Sequence, residues 1–186
     1  QVVPQLARAA KEVYVFQRTP SSVGVRNNSF TDPEWWKTLE PGWQAERQAS
    51  FTSVVSGEHP EKDLVGDEWS KIWGTDTQSE PATAEQAAAL EQHDFEVMET
   101  LRARIDDVID DPETAEKLKP WYGKHCKRVT FHDEYLEAFN EPNVHLVDTD
   151  GRGVQEVNAK GPVVDGTRTR SPRTRTSSSR EASIAR

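Results

Sequence analysis

A chain of 186 residues with a formal charge of −9, 34% hydrophobic residues, 30% charged residues and six Trp can bury one modest core and is too aromatic for wholesale disorder. The acidic balance argues against a nucleic-acid partner over most of the surface, and no apolar run approaches the ~20 residues that a membrane span needs. Charge is uneven: residues 168–186 hold six Arg and one Glu (+5), which leaves 17 basic against 31 acidic side chains (−14) in residues 1–167.

Taken in order, Val2, Val3, Leu6 and Ala9 or Ala10 recur at a spacing that predicts the last turns of a helix. Lys11 and Glu12 lead into Val13-Tyr14-Val15-Phe16, a β-branched and aromatic run expected to form a buried parallel strand that Pro20 ends. Helix followed by strand is half of a βαβ unit, and the first strand would precede Gln1. This opening in mid-pattern, without an initiating Met, points to a fragment.

Residues 21–60 are looser, with a helix start at Thr31-Asp32-Pro33-Glu34: a capping side chain, proline at the first helical position and an acid in the first turn. Trp35, Trp36 and Trp43 follow, and Trp69 and Trp73 are spaced to share a helix face; packing is the ordinary use of such residues, substrate lining the other. Residues 83–111 carry the strongest helical pattern. Thr83 and Gln86 form a capping box, and Leu90, Met98, Leu101, Ile105 and Val108 fall on one stripe opposite Glu91, Glu99 and Asp106. Asp111-Pro112-Glu113 stops that helix and caps a short one running to Lys119.

Tyr122-Gly123-Lys124-His125-Cys126-Lys127-Arg128 then sets two adjacent cations after a glycine turn. Val129-Thr130-Phe131 is followed by a helical turn or two over Asp133–Phe139 and a turn at Asn140-Glu141-Pro142-Asn143. Val144-His145-Leu146-Val147 is a second strand candidate, Gly151-Arg152-Gly153 turns the chain, and Val154–Asn158 opens a hairpin.

A strand that ends in Arg18-Thr19 has a known physical use. At the end of the second strand of a dinucleotide-binding fold, a cation and a hydroxyl favour a ribose 2′-phosphate, whereas an acid favours the free 2′-OH. Taken alone, Arg18 at a strand end is more often a solvated surface residue, and the Lys127-Arg128 pair alone says no more. His125 and Cys126 read as packing or turn residues, since no metal-ligand spacing occurs in the sequence. His132-Asp133 is not an acid–base pair on this pattern, because consecutive side chains diverge.

The strings VFQRTP (15–20), YGKHCKR (122–128) and EYLEAFNEPNVHLVDT (134–149), in this order and spacing, resemble the Baeyer–Villiger monooxygenases over roughly residues 1–167. That resemblance implies an α/β fold: a partial Rossmann-like NADP domain interrupted by a mainly α-helical insertion, with a disordered C-terminal tail. The implied divisions are 1–20 and 121–166 for the NADP-binding domain, 21–120 for the helical insertion and 167–186 for the tail. Arg18, Thr19 and Lys127 would contact the NADPH 2′-phosphate, and Arg128 would match the family's active-site arginine. A fixed guanidinium beside the flavin stabilises an anionic oxygen nucleophile and the oxyanion developing on the ketone. The implied cofactors are FAD and NADP(H), the implied substrates a small-molecule ketone and O2. The family's glycine-rich FAD loop would lie upstream of Gln1, so the chain alone is expected to be inactive.

Past Gly166 the sequence departs from the family's acidic-apolar strand. Arg168–Pro172 can be encoded so that a shifted frame gives Tyr-Glu-Val-Ala, which makes a reading-frame error one account of the tail; a polyanion-binding Arg/Ser-rich arm is the other. Two rival functions stand beside the leading one: a flavin monooxygenase that oxidises nitrogen or sulfur, and a non-enzymatic acidic helical module with a basic arm. A single cysteine fits a reducing compartment, and the cytoplasm is the expected location.

Overall fold

The computed structural model describes residues 1–58, 60–74, 83–159, 161–164 and 167–168. Two units are distinguished: Gln1–Val15 with Pro20–Leu146, and Phe16–Thr19 with the chain from Val147 onward.

In the first unit, helix α1 (Val2–Ala9) presents Val3 and Ala7 to the core and leads into strand β1 (Val13–Gln17). Asn143 joins the two: its side-chain amide donates to the carbonyls of Ala7 and Ala10, both at 2.9 Å, and its own carbonyl accepts the Val13 N–H at 2.8 Å. Orphaned carbonyls at a helix end are satisfied in this way without a glycine. Strand β4 (Val144–Asp148) pairs with β1. The pairing is parallel, because the bond from Val13 to Asn143 is followed farther along both strands by one from Thr149 N–H to the Gln17 carbonyl. The expected strands at 13–16 and 144–147 are both present, each one residue longer.

Between them, strand β2 (Val23–Gly24) pairs parallel with β3 (Thr130–Phe131), with Val23 opposite Thr130 and Gly24 opposite Phe131. The other elements of this stretch are helices α2 (Pro33–Lys37), α3 (Trp43–Val55), α4 (Glu68–Gly74), α5 (Ala84–Val108) and α6 (Pro112–Leu118). Three helix starts follow from local chemistry. Asp32 accepts the Glu34 N–H, Thr83 the Gln86 N–H and Asp111 the Thr114 N–H, each satisfying a donor that no helical carbonyl can reach.

The core gathers Val13, Ile105, Ile109, Ala115, Leu118, Leu136, Phe139 and Val144. On α5, Met98 and Ile105 are buried as the stripe predicts, Leu90, Leu101 and Val108 only partly so, and Arg102 is buried with them. Trp35 and Trp36 are exposed and meet Trp43 edge-on, whereas Trp69 packs on Phe131 at 4.6 Å; the Trp73 side chain lies outside the described residues.

The helical turns expected over Asp133–Phe139 contract to a 3₁₀ turn at Glu137–Asn140. Asn140 is drawn to the end of α5, accepting from Asp110 N–H at 3.0 Å and donating to the Val108 carbonyl at 2.7 Å. Two residues on, Pro142 has no N–H with which to extend a helix.

In the second unit, the ends of β1 and β4 are joined by Thr149, whose hydroxyl donates to the Gln17 carbonyl at 2.8 Å. Strands β5 (Glu156–Asn158), β6 (Gly161–Val164) and β7 (Thr167–Arg168) form an antiparallel sheet in that order. The hairpin expected at 154–158 therefore begins at Glu156. Thr167 and Arg168, expected at the start of a disordered 167–186 tail, instead form β7 against β6, and residues 169–186, which hold the rest of the reading-frame and basic-arm accounts, lie outside the described residues.

Candidate functional site

The segment carrying Lys127 and Arg128 is held from the helix side by two polar residues of α5. The Arg102 guanidinium donates to the Pro120 carbonyl at 2.8 Å, pairs with Glu99 at 2.6 Å and lies 4.7 Å from the Trp121 ring centroid. Asp94, two turns earlier, accepts the Lys124 N–H at 2.7 Å. Its carboxylate also limits the turn: a Cβ added at Gly123 would stand 3.0 Å from Asp94 Oδ2. Gly123 is there for close approach, since its backbone is extended with φ −66.

A 3₁₀ turn over Lys124–Cys126 follows, with the Cys126 N–H bonded to the Gly123 carbonyl at 2.9 Å. The chain then straightens at Lys127 and enters β3 through buried Val129. Tyr122 anchors the same segment from the other side. Its hydroxyl donates to the Pro20 carbonyl at 2.9 Å and accepts the Ser22 N–H at 3.0 Å, while its ring lies 4.8 Å from the Lys127 ammonium. The Thr130 hydroxyl adds a bond to the Ser22 carbonyl at 2.7 Å.

Lys127 and Arg128 are thus exposed side chains on a backbone fixed at both ends. Among the described residues the Arg128 guanidinium makes no hydrogen bond or ion pair. That guanidinium is available to an anion arriving from solvent, the donor chemistry an oxyanion requires. Lys124, by contrast, is buried at 2% exposure and cannot present its charge outward. Cys126 is a free, exposed thiol.

Beyond β3, the Asp133 carboxylate accepts three consecutive N–H groups, from Arg26 at 2.8 Å, Asn27 at 3.0 Å and Asn28 at 3.0 Å. The Asn28 bond is the largest of the causes that hold its pKa below the usual carboxylate value. His132 Nδ1 instead accepts the Glu134 N–H at 3.1 Å, so the two neighbours face different partners and form no acid–base pair. A cavity of about 550 Å³ lies beside them, lined by Gln1, Arg26, Asn28, Trp69, Phe131 and His132 among others.

In the second unit, Arg18 and Thr19 are both exposed, just past the end of β1. The Arg18 carbonyl accepts the Gly151 N–H at 2.9 Å. The Arg18 stem lies along Gly153, where an added Cβ would stand 3.6 Å from its Cδ and where φ is +77.

Asp94, Arg102, Tyr122 and Asp133 were not foreseen as supports of this site. For two of them the sequence held a signal. Asp94 and Arg102 stand four residues either side of Met98, on the apolar stripe itself, and a polar residue there must find a buried partner.

No protein-family profile matches the chain. Similar proteins and structures are nonetheless evident. A Baeyer–Villiger monooxygenase of Stachybotrys chlorohalonatus is 53% identical over 173 residues, 89% of this chain and 28% of that protein. The pentalenolactone D synthase of Streptomyces arenae is 47% identical over 178 residues, 89% of this chain and 29% of that protein. The polycyclic ketone monooxygenase of Thermothelomyces thermophila superposes with a TM-score of 0.74 at 45% identity, over 90% of this chain and 29% of that one. The chain therefore spans somewhat under a third of the length of the relatives it matches.

Proposed function

We infer that this chain, a relative of part of the Baeyer–Villiger monooxygenases over about 89% of its length, is a segment of an enzyme that uses FAD and NADPH to insert one oxygen atom from O2 beside a ketone carbonyl, giving an ester or lactone. What supports this most is the Lys127-Arg128 pair: two exposed cations on a backbone that Asp94, Tyr122 and the β2–β3 pairing hold in place. The segment spans parts of a Rossmann-like NADP domain and a helical insertion.

Each proposed site residue has its own task. Arg18 and Thr19, a guanidinium and a hydroxyl at the end of a parallel strand, are suited to a ribose 2′-phosphate. Lys127 supplies a second cation for that phosphate. Arg128 stabilises negative charge on oxygen during the reaction, and its planar fork keeps two donors aligned where an ammonium offers a point charge. FAD, which supplies the activation of O2, is held mostly by residues outside this segment, in keeping with the lack of a GxGxxG loop among its glycines. The substrates are a small-molecule ketone and O2, and the expected location is the cytoplasm.

The test is Arg128→Ala in a full-length protein carrying this segment. NADPH oxidation is expected to continue while ester or lactone formation falls by about 100-fold or more, the scale of losing one transition-state donor. Product formation at the parent rate removes Arg128 from the chemistry, and oxidation confined to amine or sulfide substrates replaces the ketone reading.

A further inference from the structure

We propose, resting on the assignment of Lys127 to the cofactor phosphate, that Tyr122 is a positioning residue that sets the preference for a 2′-phosphorylated nicotinamide cofactor by holding the Lys127 ammonium over its ring. Lys127 carries its charge on a four-carbon stem with many rotamers, and ordering that stem opposes binding of any anion. An aromatic face 4.8 Å from the ammonium restricts it before the cofactor arrives, which lowers the entropic cost of binding.

The ring can do this because it is itself immobilised. The single phenolic oxygen is used in both senses, donating to Pro20 O at 2.9 Å and accepting from Ser22 N at 3.0 Å. Those partners lie 102 and 100 residues away in the chain, so the ring is fixed to a separate stretch of backbone rather than to its own turn. Ser22 is buried at 1% exposure and its carbonyl is taken by Thr130, which makes the anchor rigid. Lys127 is thus oriented by a residue that need never touch the cofactor.

Steady-state KM values for NADPH and NADH in a full-length protein carrying this segment provide the test. Tyr122→Leu, which removes the aromatic face, is expected to raise the NADPH KM about two- to fivefold and to leave the NADH KM unchanged. Tyr122→Phe keeps the face and loses the hydroxyl bonds that fix it; it is expected to lower the urea midpoint and to move the NADPH/NADH KM ratio less than Leu does. In a Lys127→Ala background, Tyr122→Leu should add nothing to the ratio. An unchanged KM ratio in Tyr122→Leu, a ratio raised as far by Phe as by Leu, or an equal rise in the Lys127→Ala background each overturns the role of the ring. If Lys127→Ala itself leaves the ratio unchanged, the phosphate assignment fails and the role of Tyr122 falls with it.

Discussion

Asp133 shows how one side chain organises a loop that has no regular structure of its own. Its carboxylate takes the N–H groups of Arg26, Asn27 and Asn28 and fastens the chain leaving β2 to the chain leaving β3. The folded-state pKa is held below the ordinary carboxylate value. The stabilisation is therefore complete above the unfolded value and is lost as pH falls through the lower folded value. Asp133→Ala should cost about 1–3 kcal/mol near neutrality, the range for hydrogen bonds to a charged group. In urea titrations the gap from the parent should close as the pH drops below about 4. A gap that stays constant down to pH 2 would show that the charge plays no part. Gly24 makes a second residue-scale case. An added Cβ would meet Phe131 Cδ1 at 3.0 Å, and Phe131 is already packed on Trp69, so Gly24→Ala should lower stability by about 1–3 kcal/mol. Unaltered thermal unfolding in that variant would mean that the ring moves aside freely.

At the scale of elements, α5 does two jobs with one face. Met98 and Ile105 build core while Asp94 and Arg102, from the same stripe, grip the loop that carries the cations. Ile105→Ala should cost about 2–4 kcal/mol, and a loss under 1 kcal/mol in chemical denaturation would place Ile105 outside the cooperative core. Thr83→Ala should cost about 1 kcal/mol through the lost cap, an effect that circular dichroism on heating resolves. The caps at Asp32, Thr83 and Asp111 were legible in the sequence because donor and acceptor lie two or three residues apart. The bonds of Tyr122, Asp133 and Thr130 were not, since each joins residues 100 or more positions apart. Strands β2 and β3 escaped for a different reason: two residues each are too few to display an alternating pattern, and their pairing depends on a partner no local rule identifies. The positions of Arg18, Thr19, Lys127 and Arg128 past a strand end and a turn could be read directly, whereas the supports around them could not.

For the whole molecule, the proposal that the flavin site lies mostly in other residues gives a direct expectation. The isolated 186-residue chain, mixed with FAD and passed over a sizing column, should elute apart from the flavin and should oxidise no NADPH. Co-elution of yellow flavin with the chain would mean that it contains a flavin site of its own. The parallel pairing of β1 with β4 has a consequence for biosynthesis as well. Val13 bonds to Asn143, so the first strand leaves the ribosome 130 residues (143 − 13) before its neighbour exists. At ordinary elongation rates that interval is roughly 6–26 s, during which the edge of Val-Tyr-Val-Phe that β4 will take has no partner. Helices α5 and α6 emerge within it and can close over Val13 from one face, yet the open backbone edge stays available to any other strand. Nascent chains stalled before position 143 are where chaperone engagement and aggregation should concentrate.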